Sequence, residues 1–289
     1  MKFGIVLPNF GNDASRLSII DTALAAEEMG YDSIWLTDHV ALPKADAVRF
    51  GHIFECITTL GFLAGVTSKI KIGISSLVLP QRNPVEVAKE IATIDVLSNG
   101  RVMLAIGIGW SQGEYSNLNN NFKNRARRMD EAINVLRMLW KSNEPISFTG
   151  NFYHFDEVVL LPRPIQPEGP TLWVAGNSAA ALNRAARLAD GWHPNYKSPE
   201  ELSVMLAEVK PILRNRPFNV AMRLHIDFKD SPDPNKILSG PPEKIRTQLQ
   251  EVEQAGADYA LLYFDAENQP GRERAMLTFQ KEIMDLVRV

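Results

Sequence analysis

Short apolar runs alternate with longer segments of helical periodicity along the whole chain. In the segment from Arg16 to Met29, apolar side chains recur every three or four residues, as on one face of a helix, and Gly30 marks its end. The apolar runs between such segments have the length of strands. These runs occupy residues 3–7, 33–37, 71–79, 101–106, 171–175, 191–193, 219–228 and 259–264.

Eight strands separated by helices predict an α/β fold, a single (β/α)8 TIM barrel over residues 1–289. The alternative is a doubly wound open sheet, in which a Gly-x-Gly-x-x-Gly turn follows the first strand. That place in this chain reads Pro8-Asn9-Phe10-Gly11, which favours the barrel. Gly107-Ile108-Gly109 follows the fourth strand, but so short a glycine pattern decides little between the two folds.

Two segments depart from the repeat. Residues from about 141 to 170 contain no long helical pattern, and the apolar stretches 146–148 and 153–155 predict a small hairpin inserted before the fifth strand. Residues 229–239 are polar and rich in proline and aspartate, which predicts a loop after the seventh strand. Two interpretations of this loop are open, a mobile lid and an ordinary exposed connection.

Composition narrows the class of protein. The formal net charge of -3 gives no bulk attraction to nucleic acid or to an anionic membrane. A single cysteine, Cys56, excludes an internal disulfide and a cysteine-based metal site, as expected in a reducing cytosol. No apolar run approaches the roughly 20 residues that span a bilayer. We therefore expect a cytoplasmic protein with a small-molecule ligand.

The candidate chemistry lies where the predicted strands end, because active sites of barrels form at the carboxyl ends of their strands. An imidazole with an ordinary pKa near 6.5 can give or take a proton at neutral pH, so His39 is the main candidate for proton transfer. The other interpretation of His39 is a hydrogen-bonded structural role. The residues expected at this edge are Asn9, Phe10, Asp38, His39, Ser75, Ser76, Gly107, Gly109, Trp110, Gly176, Asn177, His193, Asp227 and Asp265.

Ligand binding has two further candidate sites, each with a simpler interpretation. Gly176-Asn177-Ser178 leads into a predicted helix, whose exposed N–H groups suit a phosphate; the simpler interpretation of Ser178 is a plain helix cap. A basic cluster opens a later helix and is either an anion contact or a solvated face; it consists of Arg125, Arg127 and Arg128. A metal site is disfavoured, since no paired ligands such as His-x-His occur on one strand.

The order and spacing of several motifs resemble those of the luciferase-like monooxygenase superfamily, which consists of flavin- and deazaflavin-dependent barrels, across nearly the whole chain. The matching stretches are KFGIVLP at 2–8, GYDSIWLTDH at 30–39, GISSLVLP at 73–80 with NP at 83–84, NGRV at 99–102, GIGW at 107–110, VAGNS at 174–178 and ADGW at 189–192. Each stretch alone is weak, but their combination is specific to the superfamily.

The Asp38-His39 ending of the second strand is similar to the branch that uses the deazaflavin coenzyme F420. The resemblance implies that Asp38 contacts the cofactor and that His39 lies beside the reactive ring carbon. It also implies that His39 exchanges a proton with the substrate while a hydride moves to or from the deazaflavin. A non-prolyl cis peptide in a bulge of the third strand, at Ser75-Ser76, is expected to back the ring.

The same resemblance implies that the cofactor phosphate lies at Gly176-Asn177 and near Gly107-Gly109. Deazaflavin sugar-phosphate dehydrogenases of the superfamily carry a Glu where this chain has Trp110, which argues against that reaction. Trp110 is instead expected to wall the ring and to favour a flatter, more apolar substrate.

Three functions follow from the resemblance. The first is an F420-dependent oxidoreductase, the second an FMN-dependent monooxygenase that uses O2, and the third a non-catalytic cofactor-binding relative. FMN lacks the anionic oligoglutamate tail of F420, so a basic exit groove built from Lys44, Arg49, Arg82 and the cluster at Arg125 would favour the deazaflavin. Relatives often form homodimers, and we expect the same here.

Overall fold

A computed structural model describes residues 1–229, 238–264, 266 and 268–287. Its strands are β1 (Lys2–Val6), β2 (Ser33–Leu36), β3 (Lys71–Val78), β4 (Val102–Gly107), β5 (Ile146–Thr149), β6 (His154–Val158), β7 (Thr171–Ala175), β8 (Gly191–His193), β9 (Asn219–Asp227), β10 (Leu238–Ser239) and β11 (Tyr259–Phe264). Its helices are α1 (Arg16–Glu28), α2 (Ala47–Phe50), α3 (Cys56–Val66), α4 (Pro84–Leu97), α5 (Gln112–Asn117), α6 (Arg125–Lys141), α7 (Ala179–Leu188), α8 (Pro199–Leu213), α9 (Pro242–Gln254), α10 (Gln269–Phe279) and α11 (Asp285–Val287). Short 3-10 turns at Leu79–Gln81 and Phe122–Asn124 and a π-helical turn at Gln280–Met284 complete the elements of these residues.

The main sheet has the strand order β10-β9-β11-β1-β2-β3-β4-β7-β8, and β9 also pairs with β8. The strands pair in parallel, as in β1 with β2, β3 with β4, β7 with β8 and β9 with β11. The order therefore closes on itself, and helices lie between successive strands along the chain. This is the predicted (β/α)8 barrel, and the closure excludes the open doubly wound sheet.

Contacts between Cα atoms divide the chain into two compact units. The first comprises Met1–Pro8, Asp13–Trp35 and Trp173–Val289, and the second comprises Asn9–Asn12 and Leu36–Leu172. In the first unit, the indole rings of Trp35 and Trp173 stack with centroids 5.2 Å apart. Gly4 makes room for them, since a Cβ there would lie 2.6 Å from Nε1 of Trp35.

The insertion forms the predicted hairpin in the second unit, where β5 and β6 pair antiparallel. The predicted loop at 229–239 needs correction, because its last two residues form β10 and pair with Ile226 and Asp227 of β9. A short strand of two residues leaves too little pattern to be recognised in a polar segment. The central part of that loop, residues 230–237, and Asp265 lie outside the described residues.

The sequence pattern did not predict α2, α3 or α5. Six of the eleven residues of α3 are buried, so this helix lacks the polar face that makes helical periodicity visible. The other two helices span four and six residues, which is too short for a periodic pattern. All three precede or follow strands whose ends form the candidate site.

Candidate active site

The backbone that enters the site is held by the side chain of Asn9. Its amide nitrogen donates to the Thr37 carbonyl oxygen at 2.8 Å, and its amide oxygen accepts the Thr37 N–H at 3.0 Å. The Asn9 side chain thus supplies both bonds that a neighbouring strand would give, just past the end of β2. Asn9, expected at the active edge, fixes the position of the Asp38-His39 pair.

Asp38 is buried with both carboxylate oxygens satisfied by the protein. Oδ2 accepts the backbone N–H of Val78 at 2.8 Å, and Oδ1 accepts from Nη2 of Arg82 at 2.8 Å. The same guanidinium nitrogen lies 3.0 Å from Oε1 of Glu55. Asp38 therefore ties the segment after β2 to the end of β3, and this contact within the protein was not expected from the sequence.

Arg82 requires a correction, because it does not belong to an exposed basic groove. Its guanidinium lies beside the side chains of Asp38, Glu55 and Cys56. Burial lowers the pKa of Arg82, but the negative charges of Asp38 and Glu55 outweigh burial and raise the pKa overall. Within the described residues, the ligand atoms of Asp38, Glu55 and Cys56 lie close enough together to hold a metal ion. Arg82 already supplies the positive charge that a metal ion would bring to them. Burial raises the pKa of the Cys56 thiol, so the sulfur stays protonated.

The bulge expected in β3 is confirmed. The Ser75-Ser76 peptide bond is cis, and the register with β4 shifts between Ser75 and Leu77. Ser75 is buried and Ser76 is half-buried. The bulge directly precedes Val78, whose N–H binds Asp38.

The turn after β4 requires glycine at position 109. Gly109 has a φ of +67°, and a Cβ there would lie 2.7 Å from Cγ1 of Val78. Gly107 ends β4, and the hydroxyl of Tyr115 donates to the Ile108 carbonyl oxygen at 2.7 Å. The turn is held against the end of β3, and it presents the next residue, Trp110, with 53% of its surface exposed.

His39 lies between aromatic rings. Its centroid is 5.0 Å from that of Phe50 in α2, and 5.5 Å from that of Trp110, which meets it edge to face. Nδ1 lies 3.0 Å from Oε2 of Glu114, whereas Nε2 has no hydrogen-bond partner among the described residues. The imidazole is only 6% exposed. One ring nitrogen is thus bound by the protein, and the other remains for a ligand.

Glu114 is the main site residue that sequence reasoning missed. Burial raises its pKa, but hydrogen bonds from His39, Val40 and Gln81 outweigh this and bring the pKa to about 2. Ser111-x-x-Glu114 resembles a capping box, and this signal was available in the sequence. Ser111 does cap α5 by accepting the Glu114 N–H at 3.1 Å, but the carboxylate binds residues elsewhere in the unit.

In the first unit, predicted site residues lie at the start of α7 and at the end of β9. Ser178 caps α7, and Asn177 uses its side-chain oxygen to accept the Asn195 N–H at 2.8 Å. Gly176 has a φ of +132° and Asn177 is exposed, so the first turn of α7 is open to a ligand. The Oδ1 of Asp227 accepts the Lys229 N–H at 3.0 Å.

His193, also expected at the active edge, donates from Nδ1 to the Ala221 carbonyl oxygen. Burial lowers its pKa to about 4, which keeps the imidazole neutral at pH 7.

The basic cluster of the second unit lies on aromatic rings. Arg125 is 3.6 Å from the Phe122 ring centroid, while Arg127 and Arg128 lie over Phe152 and Tyr153 at 5.7 and 5.1 Å.

The sequence profile of the luciferase-like monooxygenase family matches residues 1–233. The chain belongs to the luciferase-like monooxygenase family. Among curated proteins, it is 33% identical over 208 residues to the F420-dependent hydroxymycolic acid dehydrogenase of Mycobacterium tuberculosis. That match covers 71% of this chain and 55% of the relative, so the chain matches about half the length of the dehydrogenase.

Another relative depends on FMNH(2), whereas the dehydrogenase depends on F420. The FMNH(2)-dependent dimethylsulfone monooxygenase of Pseudomonas fluorescens is 29% identical over 255 residues, covering 86% of this chain and 65% of that protein. Among solved structures, an F420-dependent secondary alcohol dehydrogenase in complex with an F420-acetone adduct has a TM-score of 0.81 at 18% identity, with 98% of each chain covered. The relatives are oxidoreductases, and they support a deazaflavin or flavin cofactor for this family member.

No helix within the described residues is both long and apolar enough to cross a membrane. The expected homodimer and the expected cytoplasmic location stay predictions.

The ionised Glu114 carboxylate predicts a pH-dependent contribution to stability. A pKa lowered from 4.5 to about 2 stabilises the folded state fully above pH 4.5, and this contribution is lost as the pH falls toward 2. Glu114→Gln should therefore lower the free energy of unfolding by about 3 kcal/mol at pH 7. Urea denaturation between pH 7 and pH 3 should show the gap between wild type and variant narrowing with falling pH. A gap that stays constant or widens toward pH 3 would contradict the low pKa of this group.

Proposed function

We propose that this protein is an F420-dependent oxidoreductase in which His39 exchanges a proton with a small organic substrate. The observation that carries the proposal is the Nε2 of His39, which has no partner among the described residues while Nδ1 is bound by Glu114. Phe50 and Trp110 flank the imidazole and reduce its access to bulk water. A histidine in such a place suits general acid–base catalysis by a single ring nitrogen.

The residues of the second unit fit the ring of the cofactor. Trp110 offers an exposed indole, and the bulge at Ser75-Ser76 and the turn at Gly107-Gly109 bring backbone close to the same strand ends. We assign the ring to these residues, and the Asp38 carboxylate, which is buried and bound by Val78 and Arg82, holds the segment after β2 to the end of β3. A bound deazaflavin supplies a two-electron hydride carrier that does not react readily with O2.

Within the first unit, the start of α7 by itself has the features of an anion-binding turn. Gly176 and Asn177 lead into α7, and its first-turn N–H groups and positive dipole end favour an anion. Ser178 occupies the cap position with its side chain, so the backbone of the turn remains the binding group. Backbone binding also explains why the side chain of Asn177 can serve the neighbouring loop.

Two observations support F420 over FMN. The Asp38-His39 ending is similar to that of the F420 branch, and two F420-dependent dehydrogenases are 32% and 33% identical to the chain over their matched segments. FMN remains the second candidate, because FMNH(2)-dependent relatives match up to 86% of the chain and Arg82 is not part of a basic groove. The third function, a non-catalytic relative, is disfavoured by the intact hydrogen bonding of Asp38 and His39.

The rings of Phe50 and Trp110 beside His39 support an apolar substrate. For an alcohol, the carbinol C–H bond would break with transfer of its electron pair as hydride to the cofactor, and the hydroxyl proton would pass to Nε2 of His39. The product would be the carbonyl compound, and the reverse reaction would return the same proton. Secondary alcohols with apolar substituents therefore form the first substrate class to screen.

Oxygen dependence tests the proposed reaction. The proposed chemistry moves only a hydride and a proton. Turnover of alcohols with F420, measured as the loss of deazaflavin absorbance, should therefore be equally fast under argon and in air. A reaction that requires reduced FMN and O2, with no activity under argon, would overturn the proposal in favour of the monooxygenase.

Removal of the imidazole tests the proposed role of His39. In His39→Ala, turnover should fall by roughly 10²–10⁴, the usual weight of an acid–base group, while F420 binding is retained. The matched control is His154→Ala, because His154 is exposed on β6 and, among the described residues, its imidazole bonds only to the Thr149 hydroxyl in the hairpin. Turnover of His39→Ala equal to that of the control would remove His39 from the reaction.

A further inference from the structure

We propose that Glu114 is the positioning residue of His39, and that its carboxylate fixes the imidazole with hydrogen on Nδ1 so that Nε2 exchanges the substrate proton. This inference rests on the proposed function only for the identity of the proton's partner. Which ring nitrogen of His39 carries the hydrogen depends on the protein alone and not on the cofactor or the substrate.

The donors around Glu114 determine which atom carries the hydrogen. Oε1 accepts the N–H groups of Val40 and Ala41 at 2.7 and 3.2 Å, and Oε2 accepts from Nε2 of Gln81 at 3.2 Å. An ionised carboxylate can only accept hydrogen bonds, so the hydrogen between Glu114 and His39 belongs to the imidazole. A neutral imidazole has one N–H, and with Nδ1 protonated its Nε2 is the basic nitrogen.

The low pKa of Glu114, about 2, supports this assignment, because the carboxylate remains ionised throughout the range in which an imidazole titrates. The side chain is fully buried. A glutamine at this position would place its NH2 group against at least one of the surrounding donors. Charge as well as shape is therefore required.

The same carboxylate also fixes the chain that carries the imidazole. Its Oε1 binds the two residues that follow His39, so ring and backbone are held by one group. Glu114 is itself held in α5, where Ser111 accepts its N–H and also donates to Oδ2 of Asp46 at 2.5 Å. Carboxylates that hold metal-ligating histidines in place contribute roughly 10–100-fold to activity, and we expect an effect of this size from Glu114.

The other charged groups near His39 leave Glu114 as its direct counter-charge among the described residues. Asp38 precedes His39, but its charge is balanced by Arg82. Arg49 lies 5.4 Å from the ring centroid of Phe50, on the element that packs against the imidazole. Glu114 alone among these groups hydrogen-bonds to the ring.

Nitrogen NMR of the protein without cofactor tests the proposal directly. In ¹⁵N-histidine-labelled wild type at pH 9, the His39 signals, assigned by their absence in His39→Gln, should show a protonated Nδ1 and an unprotonated Nε2. Glu114→Gln should shift the ring toward the Nε2–H form, and Glu114→Asp should restore part of the wild-type pattern. A wild-type His39 with hydrogen on Nε2 would overturn the proposal, whether or not the variants fold.

Kinetics provide the second arm of the test. Glu114→Gln should lower kcat by roughly 10–100-fold with little change in F420 affinity, and it should move the acid limb of the pH profile for alcohol oxidation to lower pH, because the imidazolium loses its counter-charge. The matched control is Glu131→Gln, since Glu131 also accepts backbone N–H groups but serves the hairpin. An unchanged pH profile with an unchanged ring tautomer in Glu114→Gln would overturn the proposal. If NMR shows the expected tautomer but FMN replaces F420 as the cofactor, the proposed function fails while the positioning role stands.

Discussion

The candidate active site depends on the buried ion pair between Asp38 and Arg82. Asp38 joins the segment after β2 to the end of β3 through Arg82 and the Val78 N–H, and it thereby sets the position of the next residue, His39. An isolated buried carboxylate is costly, but here both oxygens are hydrogen-bonded and the charge is balanced. The pair gives a rigid edge on which an acid–base group can be placed.

Two buried carboxylates in this unit do different work. Asp38 is neutralised by a guanidinium and serves as a tie between strands, whereas Glu114 is surrounded by N–H donors and an imidazole. Since a histidine changes charge near neutral pH, the environment of Glu114 couples directly to proton exchange. The division between a structural and a chemical carboxylate follows from the neighbours of each group.

The fold could be predicted from the sequence because strand-length apolar runs and helical periodicity are local signals. The Asp38-His39 ending and the bulge at Ser75-Ser76 were also found, since both lie within short recognisable motifs. Glu114 and the burial of Arg82 could not be predicted in the same way. Their partners lie 75 and 44 residues away along the chain, and the contacts arise only when the strand ends come together.

Comparative titration of the purified protein with coenzyme F420 and with FMN decides which of the two cofactors the protein uses. Both titrations are followed by fluorescence at the same ionic strength. We predict saturable binding of F420 that is much tighter than binding of FMN. Tight binding of FMN with none of F420 would contradict this prediction and place the protein among the oxygen-using members of the family.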